Sequence, residues 1–293
     1  VKARCVAILV CPVCRQSLRA VGRALKCPQS HSFDVAREGY VNLLLSRGRR
    51  AVIPGDSVPM VRARRRFLDR GHTTRLSSAL NERAHHHLRQ LAQGHSPTVV
   101  ADIGCGEGYY LGRLKQYLDP RLERHDVCYF GMDVSKEAAR LGARRYRGIC
   151  FFVASVRRGI LLQNGAVQLM LNVFAPRNPA EFGRVMAPGG LLMVVIPAPG
   201  HLAELRGDLN LLGIEPNKRE HVKALLESDF VLEGEREIAY QVALTGEEVV
   251  DLVTMTPSFW HLSDRAWREV RTTGPAQAGL RFVLLEFRRK TAV

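Results

Sequence analysis

Apolar residues along this chain come in short blocks separated by glycine, proline and charge, the pattern of strands alternating with amphipathic helices. Val99 to Ile103 is a short β-branched run fit for a buried parallel strand, and a second apolar run closes on Asp133. Lys136 to Tyr146 has helical spacing, Ile149 to Ala154 predicts a third strand, and Gly165 to Phe174 predicts a fourth. A short helix over Pro179 to Met186 stops at Pro188-Gly189-Gly190, and Leu191 to Ile196 reads as a β-branched central strand. Beyond residue 204 come helix signals, a charged strand near Leu232 to Leu244, a helix from Gly246 to Met255 and a last strand near Leu280 to Arg288. Strands falling late without long helices between them predict an antiparallel edge. Upstream, Val58 to Leu68 and Thr74 to Leu91 read as helices. The whole predicts an α/β, doubly wound, Rossmann-like sheet.

Between the first two strands lies Asp102-Ile103-Gly104-Cys105-Gly106-Glu107-Gly108, a turn whose glycines let the backbone bend tightly and approach a ligand. A dinucleotide fingerprint counted from Gly104 would put its third small residue at Tyr109, and a bulky ring there argues against NAD. Asp102, the turn and Asp133 fall within about 30 residues, the length of one β-α-β unit. The Asp-x-Gly-x-Gly-x-Gly run with Asp133 after it resembles motif I and the following acidic motif of class I S-adenosylmethionine-dependent methyltransferases. That resemblance implies that the turn passes under the methionine part of the donor and that Asp133 accepts hydrogen bonds from the ribose hydroxyls. Ser155 and Asn172, at carboxyl ends of strands, fall near cofactor or target; Asn172 is equally a strand-end turn residue.

Cys11-Pro-Val-Cys14, then Cys27 and His31, make a Cys-x2-Cys-x12-Cys-x3-His spacing that suits tetrahedral zinc, and four protein ligands leave no open position, so the metal is structural. Seven cysteines are an odd count, which favours thiols and metal ligation over a disulfide framework. Cys5 is then incidental, and Cys105, Cys128 and Cys150 are core thiols. The 293 residues allow a sizeable core plus an accessory module: a zinc-binding RNA-recognition module over 1–45, a basic linker and helices over 46–97, and the methyltransferase domain over 98–293. Apolar content of 46%, with no run near 18 apolar residues and no opening signal segment, predicts a cytoplasmic protein without membrane contact.

Net charge is +15, and residues 1–97 carry 18 Lys and Arg against 5 Asp and Glu. That asymmetry points to a polyanion; arginine usage of a GC-rich genome is the alternative. Arg62, Arg64, Arg65 and Arg66 crowd one predicted helix, pointing about 100° apart in succession, so some face RNA and some are simply solvated. His85, His86 and His87 diverge for the same reason and read as exposed or RNA-facing.

The stretches CPVC, CPQSHSFDVAREGYVNLL, PGDS, ARRRFLDRGH, DIGCGEGYY and FGMDVSK together resemble the RlmA family of 23S ribosomal RNA guanine-N1 methyltransferases, over most of the chain. The run NVFAPRNP (residues 172–179) looks like the branch containing the tylosin-resistance methyltransferase TlrB, which implies macrolide resistance. The family resemblance implies S-adenosylmethionine as donor, held by Thr73, Asp102, Gly104, Gly106, Glu107, Asp133 and His201; structural zinc on Cys11, Cys14, Cys27 and His31; a 23S ribosomal RNA hairpin as partner; and room for a homodimer. Gly71-His72-Thr73 departs from the family Gly-His-Tyr, whose ring contacts the cofactor. The residue that takes the proton from guanine N1 is not legible. A small-molecule methyltransferase and a catalytically inactive zinc-dependent nucleic-acid-binding protein stay open as alternatives; methyl transfer to bulk RNA separates them from the RNA enzyme.

Overall fold

The computed structural model describes residues 3–45, 55–91, 97–122, 126–209 and 211–291; positions 46–54 of the expected linker lie outside the described residues. A one-turn helix α1 (Ala3–Val6) precedes three short antiparallel strands, β1 (Arg19–Val21), β2 (Ala24–Lys26) and β3 (Ser32–Asp34). A two-residue strand β4 (Val41–Asn42) follows, then helices α2 (Val58–Asp69) and α3 (Thr74–Arg89). The alternating part runs β5 (Thr98–Ile103), α4 (Tyr109–Leu118), β6 (Val127–Asp133), α5 (Lys136–Arg145), β7 (Ile149–Val153), β8 (Val167–Val173), α6 (Pro179–Val185) and β9 (Met186–Pro197). The chain closes with α7 (Ala203–Leu209), α8 (Lys218–Leu226), β10 (Phe230–Leu244), α9 (Gly246–Thr254), α10 (Asp264–Thr272) and β11 (Ala276–Arg289).

Eight strands form one sheet in the order β10-β11-β9-β8-β5-β6-β7-β4. Pairing is parallel from β9 through β4, whereas β11 runs antiparallel to β9, and β10 to β11. This is a doubly wound α/β sheet with an antiparallel edge. The order reverses between β5 and β8, which opens a crevice at their carboxyl ends. The apolar runs have their cause here, because both faces of the sheet are covered. On β5, Val99, Ala101 and Ile103 face one core and Val100 the other; on β6, Cys128, Phe130 and Met132 oppose Tyr129.

One of those cores includes the N-terminal module. Leu9, Val10, Leu18 and Leu25 pack with Val99, Phe130 and Phe152 on the same face as Phe182 of α6 and Leu226 of α8. The ribbon is therefore part of the sheet's cover. Two expectations for cysteines are corrected at this seam: Cys5 is not incidental and Cys128 is not a free thiol, since the two form a disulfide across 123 residues of chain. Spacing could not show this, because α1 and β6 meet only through the fold. Cys105 and Cys150 are buried free thiols.

Candidate active site and metal centre

The zinc spacing closes into a cluster. The ligand atoms of Cys11, Cys14, Cys27 and His31 lie within 4.8 Å of one another. Cys14 Sγ is 3.6 Å from Cys27 Sγ, and His31 Nδ1 is 3.3 Å from Cys27 Sγ and 3.7 Å from Cys11 Sγ. Thiolates at about 2.3 Å from a tetrahedral zinc sit about 3.8 Å apart, so the donor set and its spacing fit that ion. Local backbone makes the shape: Arg15 N–H donates to Cys11 O, Ser30 N–H donates to Cys27 O, and Arg15 and Ser30 both adopt left-handed φ near +60° to close the two knuckles.

At the crevice, the glycine turn divides its labour. Gly104, Gly106 and Gly108 all have positive φ (81°, 54° and 80°). A Cβ on Gly104 would lie 2.4 Å from Ala175 Cβ, and one on Gly108 would lie 2.6 Å from Phe151, so these two are packing glycines. Gly106 alone faces open space, where a Cβ would meet nothing nearer than Arg64 Nη1 at 3.7 Å. Asp133 turns back onto this point, its carboxylate accepting from Gly106 N–H at 2.8 Å and Ser135 N–H at 2.8 Å.

Around the turn, buried polar atoms lack partners. Asp102 is 1% exposed, and neither carboxylate oxygen has a hydrogen bond; burial, with the charge of Asp133 behind it, pushes its pKa up to about 8. Burial also pushes Glu107 up to about 7, against the pull of Arg145 and Arg65, whose guanidiniums stand 3.6 and 3.7 Å away. The Thr73 hydroxyl and Asn172 Oδ1 are likewise buried and unpaired. Orphaned acceptors at this density cost stability unless a ligand supplies donors. The ring missing at Thr73 has a neighbour in its place: Tyr110 of α4 brings a buried phenol beside the Thr73 side chain.

His201, in the loop after β9, is mostly enclosed. Its Nδ1 accepts from Arg281 N–H at 3.1 Å, and its ring lies 4.9 Å from Phe282. Burial lowers its pKa to about 4, so the ring is neutral with its proton on Nε2, a donor rather than a base. Asn172, at the end of β8, donates from Nδ2 to Ile103 O and Pro176 O, which ties the two strand ends together. Ser155 is buried at the end of β7.

The arginines of α2 do not turn to solvent as a set. Arg64 binds Asp56 and Met255 O, Arg66 forks onto Asp251 of α9 with Nε at 3.0 and 3.1 Å from its two oxygens, and Arg65 reaches Glu107 and Asp69. They pin α2 between α9 and the glycine turn. Arg62, 3.9 Å from Glu137, keeps its side chain 61% exposed. Of the three histidines, His87 is also corrected: it is 2% exposed, pairs through Nε2 with Gln168 O at 3.1 Å, and has its pKa lowered to about 4 by burial. On the ribbon, Arg19, Arg23 and Arg37 are exposed and make no ion pair among the described residues. Sequence reading missed Arg64 over Gly106 and Tyr110 beside Thr73; the double tyrosine after the turn was the available signal.

Comparison with known proteins agrees with this layout. Residues 9–50 match the family model described as RlmA, N-terminal. The chain is 38% identical over 253 residues to a 23S rRNA (guanine(748)-N(1))-methyltransferase of Streptomyces fradiae, covering 86% of each protein. It is 38% identical over 265 residues, 86% of this chain and 87% of the relative, to a putative 23S rRNA (guanine-N(1)-)-methyltransferase of Micromonospora griseorubida. A putative enzyme of the same description from Bacillus subtilis is 27% identical over 257 residues, 85% of this chain and 86% of the relative.

Proposed function

The chain belongs to the family of 23S ribosomal RNA (guanine-N1)-methyltransferases, and on that premise we propose that it transfers a methyl group from S-adenosylmethionine to N1 of one guanine in a hairpin loop of 23S ribosomal RNA. The observation that carries the reading is the set of unpaired buried acceptors, Asp102 foremost, converging on a glycine turn in the one crevice the sheet order opens. They suit a donor with an ammonium, a carboxylate and a ribose. Asp133 would accept from the ribose hydroxyls beside Gly106, Asp102 from the ammonium, and Arg64 would face the carboxylate over Gly106. Thr73, Gly104, Glu107 and His201, with its Nε2–H, complete the lining.

The bound donor supplies an already activated methyl group. The protein's own contribution is position: α2, held by Arg64 to Met255 O and by Arg66 to Asp251, sets the Arg64 guanidinium over Gly106, where the donor would be aligned. No neutral base stands ready among the residues described at the crevice, since His201 Nε2 carries a proton and the carboxyl of Asp102 is reserved for the donor. The guanine must be splayed from its loop to expose its Watson–Crick edge.

The ribbon over 1–45 is assigned to RNA recognition, residues 46–97 to the basic connection and covering helices, and 98–293 to methyl transfer. Among the described residues no helix is long and apolar enough to cross a membrane, and we assign the protein to the cytoplasm, with Cys5 and Cys128 shielded by burial at 5% and 1% exposure. A homodimer is the assembly this reading admits, and sedimentation at micromolar concentration reads it. The S. fradiae relative acts on guanine 748; we extend that position to this chain, and with it macrolide resistance of the tylosin and mycinamicin type. Transfer of labelled methyl from the donor to total ribosomal RNA tests the reading: label in RNA supports it, and label confined to small molecules, or none at all, contradicts it.

A further inference from the structure

Phe174 stands directly after β8 with φ of +53°, a conformation that bulky residues avoid, and it is 46% exposed. Strain and an exposed aromatic ring are both unfavourable, and the local structure over-determines them. Phe174 N–H donates to Val195 O at 3.1 Å, Asn172 Nδ2 holds Pro176 O at 3.1 Å, and Ala175 is wedged against Gly104. Residues held this way cluster at ligand sites. The position is the carboxyl end of β8, one residue from Ala175 and so from the donor turn.

The ring has an aromatic floor. Phe282 lies 5.3 Å from it at a 50° tilt, and Phe282 in turn touches His201 at 4.9 Å and Tyr240 at 6.4 Å. Three residues on, Arg177 is a cation of a kind seldom left unpaired: its Nε–H is buried without a partner, and it makes no ion pair among the described residues. Burial lowers its pKa, with Glu215 the one acid pulling the other way. A half-open aromatic face three residues before an uncommitted guanidinium offers the two chemistries that take a flipped base and a phosphate next to it.

We propose that the Phe174 ring is the platform on which the target guanine stacks, with the Arg177 guanidinium holding the adjoining phosphate. The proposal rests on the guanine-N1 reading above and names the acceptor side of that site.

The test uses the full-length zinc-loaded protein, 23S ribosomal RNA transcribed in vitro, and S-adenosylhomocysteine as the probe of the donor site. Phe174→Gly accepts the left-handed backbone without strain, and Phe174→Tyr keeps a stacking face. Phe174→Gly is expected to lower the single-turnover methylation rate about 10- to 100-fold while S-adenosylhomocysteine affinity changes less than about twofold. Phe174→Tyr is expected to restore the rate. In Phe174→Trp, added RNA should quench indole fluorescence beyond the quenching seen in the parent protein. Arg177→Met should weaken RNA binding about tenfold and reduce its salt slope by about one. A Phe174→Gly enzyme that methylates RNA at the parental rate overturns the proposal. So does an equal loss of S-adenosylhomocysteine affinity, which would make the ring a prop of the donor site, or a change of oligomeric state, which would make it a protein contact. If the parent protein leaves RNA unlabelled, the guanine-N1 reading fails first and this proposal falls with it.

Discussion

Asp102 combines two demands that pull against each other. As a carboxyl raised from 3.8 to about 8 by burial, it keeps its proton in the folded, donor-free protein while the unfolded chain has already released it. The folded state therefore binds more protons between about pH 4 and 8, and stability falls as pH rises through that window. Asp102→Asn should remove this decline. The donor-free variant should be as stable as the parent near pH 4 and more stable at pH 8 by up to several kcal/mol, the penalty of driving the buried parent carboxyl toward its charged form. Thermal melts across pH check it. Affinity for S-adenosylhomocysteine, whose ammonium favours the carboxylate, should rise toward pH 8 in the parent and stay flat and weaker in Asp102→Asn. For Asp133→Ala, calorimetry should show donor affinity reduced by about 1–3 kcal/mol; an unchanged value would leave the residue as a cap for Gly106 and Ser135 alone. Asp102, the turn and Asp133 were readable because one β-α-β unit sets them close in sequence. Arg64, Tyr110 and the enclosure of His201 were not, because Met255, Thr73 and Arg281 approach them from distant parts of the chain.

Among the elements, the parallel strands β5, β7 and β8 were legible to within two residues, since burial on both faces writes a continuous apolar run. The edge was harder. β10 and β11 run 15 and 14 residues, longer than their apolar cores suggest, because β10 has an exposed face and carries charge. Pro188-Gly189-Gly190 marks a register shift at the start of β9 rather than a break before it. α10 was given no bounds: its apolar stripe is short, Val270 buried with only Ala266 and Trp267 half-buried beside it. In α2 the spacing of arginines was plain, but the acids that claim them, Asp56, Asp251 and Glu107, belong to other segments. The ribbon offers the cleanest test at this scale. Its strands have three residues or fewer, so the metal must hold them. We expect one zinc per chain, and we expect Cys14→Ser or chelation to unfold the ribbon while its donor turn keeps S-adenosylhomocysteine affinity. Elemental analysis with hydrogen exchange reads both; protected β1 and β2 amides in metal-free protein would contradict the expectation.

For the whole molecule, the charge asymmetry acquires an address. Arg64 and Arg66 are paired with Asp56 and Asp251, whereas Arg19, Arg23 and Arg37 on the ribbon are exposed and make no ion pair among the described residues. Neutralising these three should weaken RNA binding and lower the salt slope by two to three in the log–log plot, at unchanged donor affinity. Neutralising Arg64 and Arg66 should instead loosen α2 and reduce donor affinity. Equal salt slopes in both variants would return RNA binding to α2. The ribbon and the crevice belong to one body, joined through a shared core and the Cys5–Cys128 link, so under the proposed function a hairpin held by the first would reach the second with one loop base. The most direct measurement is reverse transcription of ribosomal RNA from a host that lacks its own enzyme of this kind, before and after the protein is expressed. A methyl on N1 blocks the Watson–Crick edge, so the account predicts one new stop, one nucleotide before a single guanine in a 23S hairpin loop. Labelled RNA with no stop would mean another atom is methylated, and a new stop outside 23S RNA would contradict the substrate.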